Sequence, residues 1–269
     1  MSVAYQMVVC GGVVPDPLQT LEPVVGPAGP ALRNELVLPG WLDPWASHAL
    51  YEAAHLARQN PGSKVTLVSL SSKARLQQVM MTVAQKVQFE LVPIDGSASG
   101  FTDPAETAAA LADAIQALPG LVRERLLVFG GWESASRGAG VTLQYLAERL
   151  GIPDVFLGVD VIRVESDGAF EVLERAERGR HQVSRCAGPP AVLGWATGTL
   201  PEPKNNPQVG MQNMRNILPA LQRAKPVKVG ADGVSFASVT LPKQLRRTRV
   251  VKDATADEIA REIVAWIRG

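Results

Sequence analysis

Through the first two thirds of the chain, short apolar runs alternate with apolar stripes at helical spacing. Residues 4–9 read as a first strand ending at Gly11-Gly12, and the proline- and glycine-rich stretch 13–40 reads as a long excursion containing a hairpin. Asp43-Pro44 opens a helix, with Asp as N-cap and Pro at the first helical position, and its stripe runs through Leu50, Ala53, Ala54 and Ala57. Residues 64–70 predict a second strand, 73–85 a helix and 89–93 a third strand. Asp103-Pro104-Ala105-Glu106 has the form of a capping box, and the helix it opens buries Leu111, Ile115 and Leu118. Residues 126–129 predict a fourth strand. Leu143, Leu146, Ala147 and Leu150 then mark a helix over 142–150 that stops at Gly151 and Pro153.

Such alternation predicts an α/β fold, a mostly parallel, doubly wound sheet with helices on both faces. Ligands in these sheets sit beyond the carboxyl ends of the strands, where strand order reverses. The turns after the first, second and fourth strands (10–12, 69–72 and 130–142) are therefore the places to look, and all carry small or hydroxyl residues.

After Gly151 the pattern changes. Residues 159–164 and 170–173 predict a β-hairpin insertion, and 191–193 a further short strand. Residues 198–226 are rich in proline and asparagine and hold an amphipathic segment over 209–221, with Met211, Met214, Ile217, Leu218 and Leu221 at helical spacing. That stripe suits either core packing or an adaptable docking surface. A C-terminal arm ends in a helix over 256–268 with Ile259, Ile263, Val264 and Ile267 on one face. The resulting divisions are an α/β domain over 1–197, a loop and helix over 198–226, and an arm over 227–269.

Composition narrows the function classes. The 269 residues suffice for one large domain with an extension, and the net charge of +1 gives no global reason to expect nucleic acid or a membrane surface. Aromatics at 5% argue against a base-stacking surface. Between Lys204 and Lys252 stand ten lysines or arginines and a single acid, Asp232, so this stretch is either a solvated extension or a face for an acidic partner. Cys10 and Cys186 are far apart and form no CxxC, which predicts two reduced thiols. His48, His55 and His181 lack metal-ligand spacing, and no metal is expected. The N-terminus has no basic leader and no run reaches about 18 apolar residues, so secretion and membrane insertion are disfavoured and a cytoplasmic location is expected.

The most informative stretch is Gly130-Gly131-Trp132-Glu133-Ser134-Ala135-Ser136-Arg137-Gly138-Ala139-Gly140-Val141-Thr142, between a buried strand and a helix. Glycines let a backbone approach an anion, and a helix N-terminus offers free N–H groups and a positive dipole end. The loop matches neither GxxxxGK[ST] nor GxGxxG, so a phosphate cradle and a purely geometric turn both stay open.

Several stretches, taken in order, carry a resemblance: Asp43-Pro44-Trp45-Ala46-Ser47-His48-Ala49-Leu50-Tyr51-Glu52-Ala53-Ala54, Val65-Thr66-Leu67-Val68-Ser69, Gly131 through Pro153, Gly188-Pro189-Pro190-Ala191-Val192-Leu193 and Pro201-Glu202-Pro203-Lys204. Over nearly the whole chain their order resembles the electron transfer flavoprotein β subunit family. There the corresponding segments read Asn-Pro-Phe-x-Glu-x-Ala-x-Glu-Glu-Ala, a second strand and turn, Gly-Lys-Gln-x-x-Asp-x-Asp-x-x-Gln-Thr-Gly with its helix, Leu-Pro-Ala-Val-Val and Asn-Glu-Pro-Arg. In the loop only Thr142 of the family's Asp-x-Asp-x-x-Gln-Thr is kept, and Arg137 adds a cation.

The resemblance implies an adenine-nucleotide α-hydrolase-like sheet and a heterodimer whose α partner holds the redox-active FAD, with a structural AMP in this subunit. It places Val9, Cys10, Asp43, Ser69, Leu70, Gly130, Arg137, Gly138, Ala139, Gly140, Val141 and Thr142 at the AMP, and Trp45 and Asp16 near the partner's FAD. Met211, Met214, Ile217 and Leu218 are implied to dock on an acyl-CoA dehydrogenase-type enzyme, the electrons passing on to a quinone oxidoreductase. The terminal arm is implied to dock on the α subunit, and no catalytic residue is expected. Two alternatives remain: an electron-bifurcating relative with a second FAD in the β site, and a stand-alone nucleotide-binding regulatory module.

Overall fold

A computed structural model describes residues 4–26, 29–96, 98, 101–230, 233–241, 243 and 248–268. In chain order the elements are β1 (Gln6–Cys10), β2 (Val13–Pro15), β3 (Pro23–Gly26), β4 (Gly29–Leu32), β5 (Gly40–Leu42), α1 (Pro44–Gln59), β6 (Lys64–Ser71), α2 (Lys73–Val83) and β7 (Glu90–Asp95). They continue with α3 (Pro104–Gln116), β8 (Leu126–Gly131), α4 (Thr142–Leu150), β9 (Val155–Val164), β10 (Phe170–Ala176), β11 (Arg180–Cys186), β12 (Ala191–Trp195), α5 (Pro207–Arg223) and α6 (Ala256–Arg268).

Eight strands form one sheet in the order β11-β10-β9-β12-β8-β1-β6-β7. The six from β9 to β7 are parallel, while β10 pairs antiparallel with both β9 and β11. Side chains of a strand alternate between faces, and here both faces are buried. Met7 and Val9 of β1 join Leu127 and Phe129 of β8 in a core under α1, α2 and α5. Val8 and Cys10 join Leu126 and Val128 in a second core under α3 and α4. That is why these strands read as continuous apolar runs. Phe129 and Trp195 stack in the first core with ring centroids 5.8 Å apart.

The caps form as the residue types dictate. Asp43 accepts from Trp45 N–H at 3.0 Å and Asp103 from Ala105 N–H at 2.8 Å, each followed by a proline at the first helical position. The excursion after β1 contains the expected hairpin, β3 with β4, and its two ends pair as β2 with β5.

Strand β11 went unforeseen. Its sequence, Arg180 to Arg185, is polar apart from Val183, because it is an edge strand exposed along most of its length. The arm also begins closer to the sheet than its polarity suggests. Val227 N–H donates to Asp95 O at 2.7 Å beside β7, and Val229 packs on the second core. At the far end α6 buries none of its residues. No helix among the described residues is long and apolar enough to cross a membrane.

Candidate functional site

Strand order turns at β1: the chain moves outward through β6 and β7, then returns to place β8 on the other side of β1. A cleft opens at the carboxyl ends of these strands, the position expected for a ligand. Counting its open mouth it encloses about 1000 Å3. Cys10 to Val14 after β1 and Leu70 at the end of β6 form one wall. Asp43 and Ala46 of the α1 start form a second, the 131–143 loop and α4 start a third, and Ala98, Thr102, Pro104, Thr107 and Leu111 a fourth.

The loop's shape follows from its glycines. Gly138 and Gly140 have φ of +65° and +66°, a region that L side chains rarely occupy. Gly138 N–H closes a turn on Ser134 O at 2.8 Å. Helix α4 then starts without a side-chain cap, since Val141 stands at its N-cap. The N–H groups of its first turn, beside Thr142 on the cleft wall, thus lack a side-chain acceptor of the helix's own and form the electropositive end of the cleft. Arg137 crosses the mouth and donates to Thr102 O at 3.0 Å.

Asp43 also lines the cleft, only 3% exposed. Its Oδ2 accepts from Ala135 N–H at 2.9 Å while Oδ1 serves the α1 cap. Burial pushes its carboxyl above the usual aspartate range, against the pull of the surrounding N–H and hydroxyl donors. Cys10, on the floor, is 8% exposed, and burial pushes its thiol up to about 12, so it is an inert wall rather than a nucleophile.

Of the residues expected at the nucleotide, Cys10, Asp43, Leu70, Arg137, Ala139, Gly140, Val141 and Thr142 line this cleft, and Gly138 sits in the loop among them. Val9 and Ser69 do not. Val9 is fully buried on the opposite face of the sheet, as alternation along β1 requires. Ser69 is also fully buried, and its hydroxyl donates to Gly11 O at 2.7 Å, bracing the β1 turn from behind. Gly130 lies behind the wall, where a Cβ would approach Leu143 Cδ2 to 3.0 Å. Trp45 is half-buried on the first turn of α1, with its Cβ against Gly131. Asp16 accepts from Leu18 N–H at 3.0 Å and from Gln19 at 3.1 Å, holding its own turn in the excursion.

Sequence reasoning missed the α3 wall, because Asp103-Pro104 reads only as a helix start, and it missed Trp132 and Glu133 as cleft residues. It also missed Asp160. This aspartate receives a two-pronged contact from Arg175 at 2.9 and 2.7 Å and a bond to His181 Nε2 at 3.1 Å. Burial raises its pKa, but Arg175 and His181 outweigh burial and hold it below the usual range.

The helix expected to dock a partner is present as α5. Met211 and Leu218 are 65% and 42% exposed and line a groove with Met81, Met214 and Arg215. Ile217 belongs instead to the core: it is fully buried, since it falls on the inward face with Leu221 and Asn213.

The family profile of the electron transfer flavoprotein domain matches residues 35–228, well over half of the chain. The chain belongs to this family. Membership gives it an electron-transfer-flavoprotein-type role, and domains of this family work with partner redox enzymes. The match takes in α1, β6 through β12 and α5, hence most of the cleft and the whole groove. No curated protein matches the sequence.

Proposed function

We propose that this electron transfer flavoprotein domain is the β subunit of a heterodimer, with a structural AMP in the cleft and the redox FAD held mainly by its α partner. The observation that carries the reading is the cleft itself: an uncapped helix start and a glycine-shaped loop at the switch point of a family-matched sheet. The residues fit the group. The first-turn N–H groups of α4 and the Arg137 guanidinium would hold the phosphate. Cys10, Ala46, Leu70 and Leu111 offer an apolar wall for the base. The reach of Arg137 to Thr102 narrows the mouth, which favours a mononucleotide over a second FAD.

In this reading the chain supplies placement rather than proton chemistry. FAD, when bound by the partner, carries the electrons, and Trp45 on the first turn of α1 packs toward it, with Asp16 in the excursion nearby. The groove on α5, with Met211, Met214 and Leu218, docks an acyl-CoA dehydrogenase-type donor. Electrons then leave to a quinone oxidoreductase. Helix α6 fastens the chain to the α subunit: Ile259, Ile263, Trp266 and Ile267 are 43%, 48%, 73% and 79% exposed on this chain alone.

Co-expression with an α-type partner followed by acid release and chromatography of nucleotides tests this. One AMP and one FAD per heterodimer are expected. Gly140→Glu puts a carboxylate at the phosphate end and strains a left-handed position, so AMP content should fall at least tenfold with FAD retained. AMP retained by the variant, or two FAD in the wild type, refutes the assignment of the cleft.

A further inference from the structure

We infer that Asp43 is the joint that couples the 130–142 loop to the first turn of α1, so that the state of the cleft sets the place of Trp45. Its two carboxylate oxygens serve different elements. Oδ1 accepts from Trp45 N–H at 3.0 Å and Ala46 N–H at 3.5 Å, and Oδ2 accepts from Ala135 N–H at 2.9 Å. Asp43 N–H in turn anchors to Gly12 O at 2.9 Å. The carboxylate's partners are all backbone N–H groups, so a buried charge is held by donors drawn from both elements at once. Separating the elements strips donors from a carboxylate that water reaches poorly, which is unfavourable.

The backbone packing agrees. At Gly131 a Cβ would come within 2.7 Å of Trp45 Cβ and 3.2 Å of Ala46 N, so the start of the loop rests on the first turn of α1 with no space for a methyl group. Ser134, Ser136 and Ala46 all face the cleft. A ligand that orders residues 134–136 therefore presses on the residues that hold Asp43, and Asp43 holds the N–H of Trp45. A planar carboxylate can do this because both oxygens accept. An amide of the same shape has one acceptor and one donor, so it can cap α1 or meet Ala135, not both.

Asp43→Asn is thus a selective probe, and Asn is itself a good N-cap. Residue-resolved hydrogen exchange on the full chain reads the three amides. Without ligand, Trp45, Ala46 and Ala135 should exchange with similar protection in the wild type, one opening exposing all three. In the variant Ala135 should exchange on the order of tenfold faster or more, with Trp45 and Ala46 still protected. With AMP added, the wild type should gain protection at both the loop and the α1 start, and the variant at the loop alone. Independent opening of the two segments in the ligand-free wild type, or equal AMP protection of both in Asp43→Asn, overturns the coupling. The ligand arm rests on the proposed AMP site. AMP protecting neither segment of the wild type would sink that site, and the ligand-free arm then still decides the joint.

Discussion

Replacing Asn213 should be the most damaging polar change outside the cleft, and the structure sets its size. Asn213 is 1% exposed on the inner face of α5. Its amide donates to Ala84 O and Val87 O, each at 2.7 Å, and its oxygen accepts from Phe89 N–H at 3.3 Å. These are the backbone groups of the turn joining α2 to β7, which no strand or helix ladder satisfies. Asn213→Ala leaves two carbonyls and one N–H without partners, at about 1 kcal/mol each, or about 3 kcal/mol together. Asn213→Leu fills the space and denies water to the same groups, so it should cost about 4 kcal/mol despite its apolarity. Unfolding entropy near 2.1 cal/mol/K per residue, over 269 residues, turns 3 kcal/mol into a drop of about 5 °C in Tm if the chain unfolds as one unit. Scanning calorimetry with urea titration measures it, and Met211→Ala, at a 65% exposed site on the same helix, should stay within about 0.5 kcal/mol. A drop below about 1 °C for both Asn213 variants, or Leu milder than Ala, would falsify the hydrogen-bond argument.

Two further outcomes follow from the arm and the hairpin. Truncation after Asp253 removes a helix with no buried residue, so thermal stability of the isolated chain should change by less than about 1 °C while the heterodimer dissociates more readily; an unaltered dissociation profile by size-exclusion chromatography refutes the docking role of α6. Arg175→Met should destabilise the hairpin by about 2 kcal/mol at neutral pH, discounted for an arginine side chain 41% exposed. Because the folded-state pKa of Asp160 is depressed, its contribution is complete above the ordinary aspartate pKa and is lost as pH falls through the lower folded value. The gap between wild type and variant in urea midpoints should therefore close below about pH 4, and a gap that widens on acidification contradicts the ion pair.

Much of this molecule was legible before folding, and particular residues show why. Asp43-Pro44 and Asp103-Pro104 open α1 and α3 because capping and a fixed proline φ act within one turn of chain. Runs such as Leu126 to Phe129 announce strands buried on both faces. The Gly138 and Gly140 loop announced itself by residue type, since few other residues accept its backbone. Periodicity placed Met211, Met214, Ile217, Leu218 and Leu221 on one stripe, but it did not separate the exposed Met211 from the buried Ile217 and Leu221, whose face depends on where α2 and β7 lie.

What tertiary structure alone decided is how distant pieces meet. Strand order put β8 beside β1 and so joined Cys10, Asp43, Thr102 and Thr142 around one cleft, though they are spread over more than a hundred residues. Alternation within that sheet turned Val9 and Ser69 away from the cleft. The polar edge strand β11 forms only because β10 offers it a ladder, and Asp160 is an ion-pair centre only because the hairpin returns Arg175 and His181 to it. Local residue types determine helix starts, turns and buried strands, because those forces act over a few residues. Which walls face one another depends on long-range pairing, which leaves no local mark on the sequence.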